Sequence, residues 1–202
     1  MAVAHGAAAL GLVSSMPSGP GVIDDDTIAA IARTVPPGVS TFLLTCEEDP
    51  ARIIAQQRRA RVDTLQLVDR LPPGALRDIR AALPGVRLVQ VVHVTGEESL
   101  DEACEAAPDV DAILLDSGNP KLAVKELGGT GRVHDWAVSR RICERVPVPV
   151  YLAGGLNAGN VGEAIRAVRP FGLDLCSGVR TDGRLDRDRL GLFFGAVRRA
   201  EA

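Results

Sequence analysis

Aromatic residues are scarce in this chain: one tryptophan, one tyrosine and four phenylalanines among 202 residues. Surfaces that bind single-stranded nucleic acid interleave aromatic and basic side chains. No such run is present, and the formal net charge of -3 points the same way. Nucleic acid is therefore not an expected partner. Cysteine is equally sparse. Cys46, Cys104, Cys143 and Cys176 lie far apart without a Cys-x-x-Cys pair, which offers neither zinc-type spacing nor a disulfide framework. A reducing cytoplasm is the expected compartment. Histidines number three, His5, His93 and His134, and lack partners at ligand spacing. No metal site is expected; His5 and His93, both near strand ends, read as structural. The apolar opening 2–12 is short, broken by glycine and preceded by no basic residue, so it suits neither a membrane span nor a secretory signal.

What is present is alternation. Short apolar, β-branched runs fall at residues 8–14, 40–45, 64–68, 87–94, 112–116, 149–153 and 172–176. Between them, stretches with helical spacing cover 24–33, 49–60, 74–83, 97–107, 135–144, 160–168 and 186–198. Asp49 before Pro50 has the form of a helix start, as does Asp135, and Asn157 and Asn160 are candidate caps for the helix after 149–153. The strand runs are continuously apolar, as strands buried on both faces of a parallel sheet must be. With 46% hydrophobic and 24% charged residues, the chain reads as one globular domain over 1–202.

Successive β-then-α units leave an open doubly wound sheet or a closed barrel. The reading adopted is α/β, a TIM (β/α)8-type barrel. Seven strand runs are found where a (β/α)8 barrel has eight. The opening Met-Ala-Val-Ala-His-Gly-Ala reads as a helix tail entering a strand. The expectation is that the first strand and most of the first helix are missing from this chain, with Met1 an internal methionine. Two unpaired edge strands, near 8–14 and 172–176, would then call for a homodimer or a covering helix.

In parallel α/β folds chemistry sits at the C-terminal strand ends. The run Ile113-Leu114-Leu115 ends on Asp116, ahead of a glycine loop, Gly128-Gly129-Thr130-Gly131. A carboxyl group at a barrel mouth beside such a loop suits general acid–base work. By position alone Asp116 is equally a turn cap or a partner of Lys121. The next run ends Ala153-Gly154-Gly155-Leu156-Asn157, and the last ends Asp174-Leu175-Cys176-Ser177-Gly178-Val179. Glycine pairs at two adjacent strand tips, each ahead of a helix, let backbone amides approach an anion closely. Either pair alone is also an ordinary tight turn. Cys176 reads as a small buried hydrophobe inside its strand, and Trp136 as a packing residue over the barrel.

Together these segments resemble the phosphoribosylanthranilate isomerase family of tryptophan biosynthesis. The likeness rests on Leu114-Leu115-Asp116, Gly128-Gly129-Thr130-Gly131 with Asp135-Trp136, Leu152-Ala153-Gly154-Gly155-Leu156-Asn157 with Asn160-Val161, and the block from Val168-Arg169-Pro170 to Val179. It implies a cofactor-free Amadori rearrangement of a phosphoribosyl amine to a 1-deoxyribulose phosphate. Asp116 would be the general acid toward the ribose ring oxygen. Gly154, Gly155, Ser177 and Gly178 would hold the phosphate of a small phosphorylated sugar substrate, with Gly129 and Gly131 of the loop also in substrate binding. Asp174 matches a polar residue near the substrate amine.

Three departures stand out. The family's opening Lys-Ile-Cys-Gly, which carries its general base, has no counterpart. The loop 16–21 lacks the arginine that grips the anthranilate carboxylate, leaving Lys121 and Lys125 as candidates for a replacement charge. The segment Gln66-Leu67-Val68-Asp69 replaces Gln-Leu-His-Gly, losing a histidine and gaining a carboxylate. An alternative reading is a catalytically inactive or divergent barrel that binds a phosphosugar of another kind. Aldolase chemistry is disfavoured, since no lysine stands at a strand tip.

Overall fold

The computed structural model describes residues 1–17, 21–118 and 133–201. A short helix α1 (Ala2–His5) leads into strand β1 (Ala9–Val13), and strictly alternating elements follow. They are α2 (Asp25–Ala32), β2 (Ser40–Thr45), α3 (Pro50–Ala60), β3 (Thr64–Leu67), α4 (Ala75–Ala82), β4 (Arg87–His93) and α5 (Glu98–Ala106). Next come β5 (Ala112–Asp116), α6 (Trp136–Arg145), β6 (Val150–Leu152), α7 (Val161–Val168) and β7 (Gly172–Leu173). A two-residue-per-strand hairpin, β8 (Arg180–Thr181) and β9 (Arg184–Leu185), precedes the last helix α8 (Arg187–Glu201).

Helix starts follow side-chain chemistry. Asp24, Asp49 and Asp135 each accept a backbone N–H from the first turn, at 2.8, 2.9 and 2.8 Å. These bonds satisfy amides that the helix itself leaves without acceptors. The expected asparagine cap of α7 is corrected. Asn160 has helical rather than extended backbone angles, so its side chain cannot fold back onto the first-turn amides. It accepts instead from the Asn157 amide at 2.8 Å and donates to the Gly155 carbonyl at 3.0 Å, tying the turn before the helix.

The seven long-range strands pair in chain order, all parallel, from β1 to β7. Alternation along them separates two apolar layers. Leu65, Leu88, Val92, Ile113, Leu115 and Leu152 face the helices, against Ile53, Ile79, Ile142 and Phe193. Val89, Val91, Ala112, Leu114 and Ala153 face the other way, with Phe42, Leu44 and Tyr151. Phe42 on β2 and Tyr151 on β6 meet edge to face with ring centroids 6.3 Å apart. Strands that far apart in a flat sheet cannot touch, since neighbours are spaced about 4.8 Å. The sheet is therefore curled into most of a barrel around an interior core.

Among the described residues β7 and β1 do not pair with each other. The free side of β1 is covered in part by its own following loop, where the Ile23 amide donates to the Val13 carbonyl at 3.0 Å. The chain end also turns inward, since α1 lies against α8 with Gly6 beside the Phe194 ring.

One local expectation changes, and a hairpin is found where none was read. The last strand ends at Leu173, not at 176, and Cys176 is partly exposed ahead of a 3-10 turn at Ser177–Val179. The cause is Gly178, which approaches the Leu156 carbonyl so closely that a Cβ would lie 1.9 Å from its oxygen. Reaching that contact draws the chain off the sheet. The β8–β9 hairpin turns on Asp182 and Gly183, both at positive φ (50° and 74°). That Asp-Gly pair is a hairpin signal in the sequence.

Asp63 stitches β3 to β2, its carboxylate accepting from the Thr41 amide at 2.7 Å and the Thr41 hydroxyl at 2.9 Å. Because Thr41 is buried, Asp63→Ala strands its donors. The expected cost is about 1 to 3 kcal/mol, read as a lower urea midpoint with unchanged slope.

Candidate active site

The register builds a row of side chains across the interior at the C-terminal rim. His93 pairs with Asp116. The Ala153 amide donates to the Leu115 carbonyl at 2.7 Å and the Asp174 amide to the Leu152 carbonyl at 2.9 Å, which continues the row onto β6 and past β7. His93 and Asp116 follow the inward-facing Val91 and Leu114 by two residues, and so share their face. Gly172 presents the same face toward Tyr151, where a Cβ would come within 2.7 Å of the ring, and Asp174 stands two residues further on. The two carboxyl groups thus flank Ala153, whose methyl group leaves room between them.

Electrostatics follow from this placement. Asp116 is buried, and burial raises its carboxyl above the usual range; hydrogen bonds from Ser117 and the charge of His93 oppose the shift without cancelling it. Asp174 keeps some access to the mouth but is enclosed by protein, which pushes it to about 6, with the Asp116 charge adding to the effect. Two neighbouring carboxyls in a poorly solvated place resist double ionisation. Both carboxyls therefore hold their protons to higher pH than a solvated carboxyl does.

The two glycine turns meet beside this row. Gly154 and Gly155 sit at φ 82° and 63°, the left-handed region that side chains disfavour. Gly154 also lies against Ser117 and His134, whose atoms a Cβ would meet at 3.0 Å. Gly178 closes the other side over the Leu156 carbonyl. Gly155, Asn157, Gly159, Ser177, Gly178 and Arg189 line an open cavity of about 380 Å³. That is ample for a phosphoryl group, and the N-terminus of α7 follows directly.

His134 fixes the entry to α6. The Ser139 hydroxyl donates to the Asp135 carbonyl at 3.2 Å, and so accepts from Nε2 of His134 at 2.8 Å. Burial lowers the imidazole to about 4, with Asp135 only partly opposing. The ring is neutral at physiological pH, with its Nδ1 lone pair toward Gly154. Trp136 packs against the outer core as expected, though its Nε1 is buried without a hydrogen-bond partner.

Of the residues singled out in the sequence, Asp116, Gly154, Gly155, Asp174, Ser177 and Gly178 gather at this rim. Gly129 and Gly131, with Lys121 and Lys125, lie outside the described residues. Asp69 stands past the end of β3, and among the cysteines Cys46 stands past β2, its thiol donating to the Ser15 carbonyl at 3.3 Å. Cys104 and Cys143 belong to the helix layer. Ser117 and Arg189 were not anticipated. Ser117 could have been read from its place directly after the strand-tip aspartate. Arg189 carries no such signal, since helix arginines usually mark a solvated face. Among the described residues no group of three or more His, Cys, Asp or Glu side chains is placed to hold a metal ion.

A curled parallel sheet with paired carboxyl groups and two glycine turns around a cavity at its C-terminal rim defines a protein of the (β/α)-barrel class. The family described as N-(5'phosphoribosyl)anthranilate (PRA) isomerase matches residues 4–196. The N-(5'-phosphoribosyl)anthranilate isomerase of Methanocella arvoryzae is 37% identical over 179 residues, covering 89% of this chain and 82% of that one. The crystal structure of the Thermotoga maritima phosphoribosyl anthranilate isomerase superposes with a TM-score of 0.82 at 28% identity, covering 98% and 91% of the two chains. A phosphoribosyl anthranilate isomerase in complex with reduced 1-(o-carboxyphenylamino)-1-deoxyribulose 5-phosphate gives 0.79 at 26% identity, covering 98% and 90%. The chain belongs to the N-(5'-phosphoribosyl)anthranilate isomerase family.

The raised carboxyl of Asp174 has a stability consequence. A group whose folded pKa exceeds its unfolded value of about 3.9 favours the folded state at low pH. That benefit is lost as pH rises through about 6. Asp174→Asn should therefore raise the melting temperature at pH 8, and the gain should shrink toward pH 4.5 in paired thermal scans.

Proposed function

We propose that the chain catalyses the Amadori rearrangement of N-(5'-phosphoribosyl)anthranilate to a 1-deoxyribulose phosphate, with Asp116 as the general acid. The observation that carries this reading is the buried, raised carboxyl of Asp116 in one row with Asp174 and beside the glycine cradle. The phosphate lies against the backbone of Gly154, Gly155, Ser177 and Gly178. The ribose then reaches across Ala153 to Asp116, and Asp174 faces the amine. Asp116 gives its proton to the furanose ring oxygen while the bond from that oxygen to C1 breaks, its electron pair staying with the oxygen. The amine nitrogen supplies the electrons that make the C1–N double bond. The C2 proton leaves to a base, and the resulting enolamine loses its O2 hydroxyl proton as C1 gains one, which gives the ketone; with Asp116 reprotonated there is no net change in atoms. Water exclusion by the buried rim strengthens each charge interaction on the way.

The same reading places the substrate among small phosphorylated sugars. It puts the protein in the cytoplasm, a reading that four cysteines without a disulfide support. A homodimer covering the open edges of β1 and β7 belongs to it as well; light scattering at the monomer mass would remove that part.

Asp116→Asn is expected to lower turnover by about 100- to 10,000-fold, while a ribulose phosphate analogue still binds within a few-fold in calorimetry. Full activity in that variant would sink the acid assignment. Gly178→Ala should act on the other half, because its Cβ cannot coexist with the Leu156 carbonyl in the present geometry. Its expected signature is loss of inorganic phosphate competition together with a KM raised tenfold or more.

A further inference from the structure

Among the described residues, the wall of the cavity beside the glycine turns holds one charged side chain, Arg189, and no acid. Arg189 and Leu192 both line that wall, and they stand three apart on α8, so one face of the helix is turned toward the glycine turns. The side-chain amide of Asn157, also in the wall, is spent within its own turn: its oxygen accepts from the Gly159 amide at 2.9 Å and its nitrogen donates to the Gly155 carbonyl at 3.2 Å. Arg189 is held by its backbone, whose amide donates to the Asp186 carboxylate at 3.1 Å. That carboxylate also accepts from the Asp188 amide at 2.9 Å and the Thr181 hydroxyl at 2.6 Å, so both of its oxygens are engaged in starting α8. Asp186 senses the Arg189 charge from a distance, without a hydrogen bond to the guanidinium. The guanidinium itself is exposed. Glu163 in the first turn of α7 and Asp188 in that of α8 are not part of the wall.

We infer that Arg189 is a phosphate-binding residue, its guanidinium meeting from α8 the same phosphate that the backbone of the glycine turns holds. This inference rests on the reading of the two glycine turns as the phosphate cradle. Backbone amides and a helix start supply direction and partial charge. A phosphate monoester brings about -1.5 to -2 charges at neutral pH, and moving such a group out of water without a counter-charge is costly. A guanidinium offers a planar fork that matches two phosphate oxygens, and it stays charged throughout the physiological range. In the described wall Arg189 is the source of a full positive charge. It acts at the phosphate end of the site, so it strengthens binding and the preference for a phosphorylated over a free sugar, and takes no part in proton transfer.

The test is calorimetry with inorganic phosphate and with ribose 5-phosphate, beside steady-state kinetics. Arg189→Gln should weaken binding of both ligands by about tenfold and raise KM by a similar factor, with kcat changed by less than about threefold. Arg189→Lys keeps the charge and loses the fork, so it should fall between the two. Phosphate binding by the unsubstituted chain should weaken as sodium chloride is added, and this salt dependence should be flatter in Arg189→Gln. An arginine with a merely structural role would leave the salt dependence where it was. Unchanged phosphate affinity and an unchanged salt slope in folded Arg189→Gln overturn the inference; the cradle itself then stands if Gly178→Ala still loses phosphate binding. An unsubstituted chain that binds neither inorganic phosphate nor ribose 5-phosphate would instead remove the cradle reading, and this inference with it.

Discussion

Everything at the rim depends on the parallel register. A shift of one residue anywhere between β4 and β6 would turn Asp116 away from His93 and onto the helix layer. The register is fixed from both sides. Outside, Ile113, Leu115 and Leu152 are fully buried against the helices; inside, Leu114 and Ala153 meet Phe42, Leu44 and Tyr151. Apolar packing that has no part in chemistry therefore decides which polar groups can reach one another. The carboxyl pair exists because two core layers leave it no other place.

The glycine cradle adds a second constraint of a different kind. Its donors are backbone groups, and their positions depend on chain path instead of rotamer choice. Gly178 over the Leu156 carbonyl ties the turn after β6 to the turn after β7, so neither can move independently. Arg189, in the first turn of α8, adds a cationic side chain to the lining of the cavity.

Much of this was legible in the sequence because the signals were local. Each apolar run and each helix stretch appears within a few residues of its expected bounds, since a doubly buried strand admits few polar residues and each aspartate cap leaves its mark before a helix. The places of Asp116, Gly154 and Gly155 could be read because strand-tip position is a sequence property. The shortening of the last strand could not. It follows from a close contact between residues 22 apart, Leu156 and Gly178, and no periodicity reports that. The pairing of His93 with Asp116 was hidden for the same reason: only strand pairing sets residues 23 apart side by side.

Ala153 is the smallest side chain in the row, and it is the spacer between two acids. Its methyl group sets how strongly each carboxyl senses the other's charge, and how much open space lies between them. A bulkier residue there would fill that space and alter the coupling together, so acidity and access at this rim are not free to vary separately.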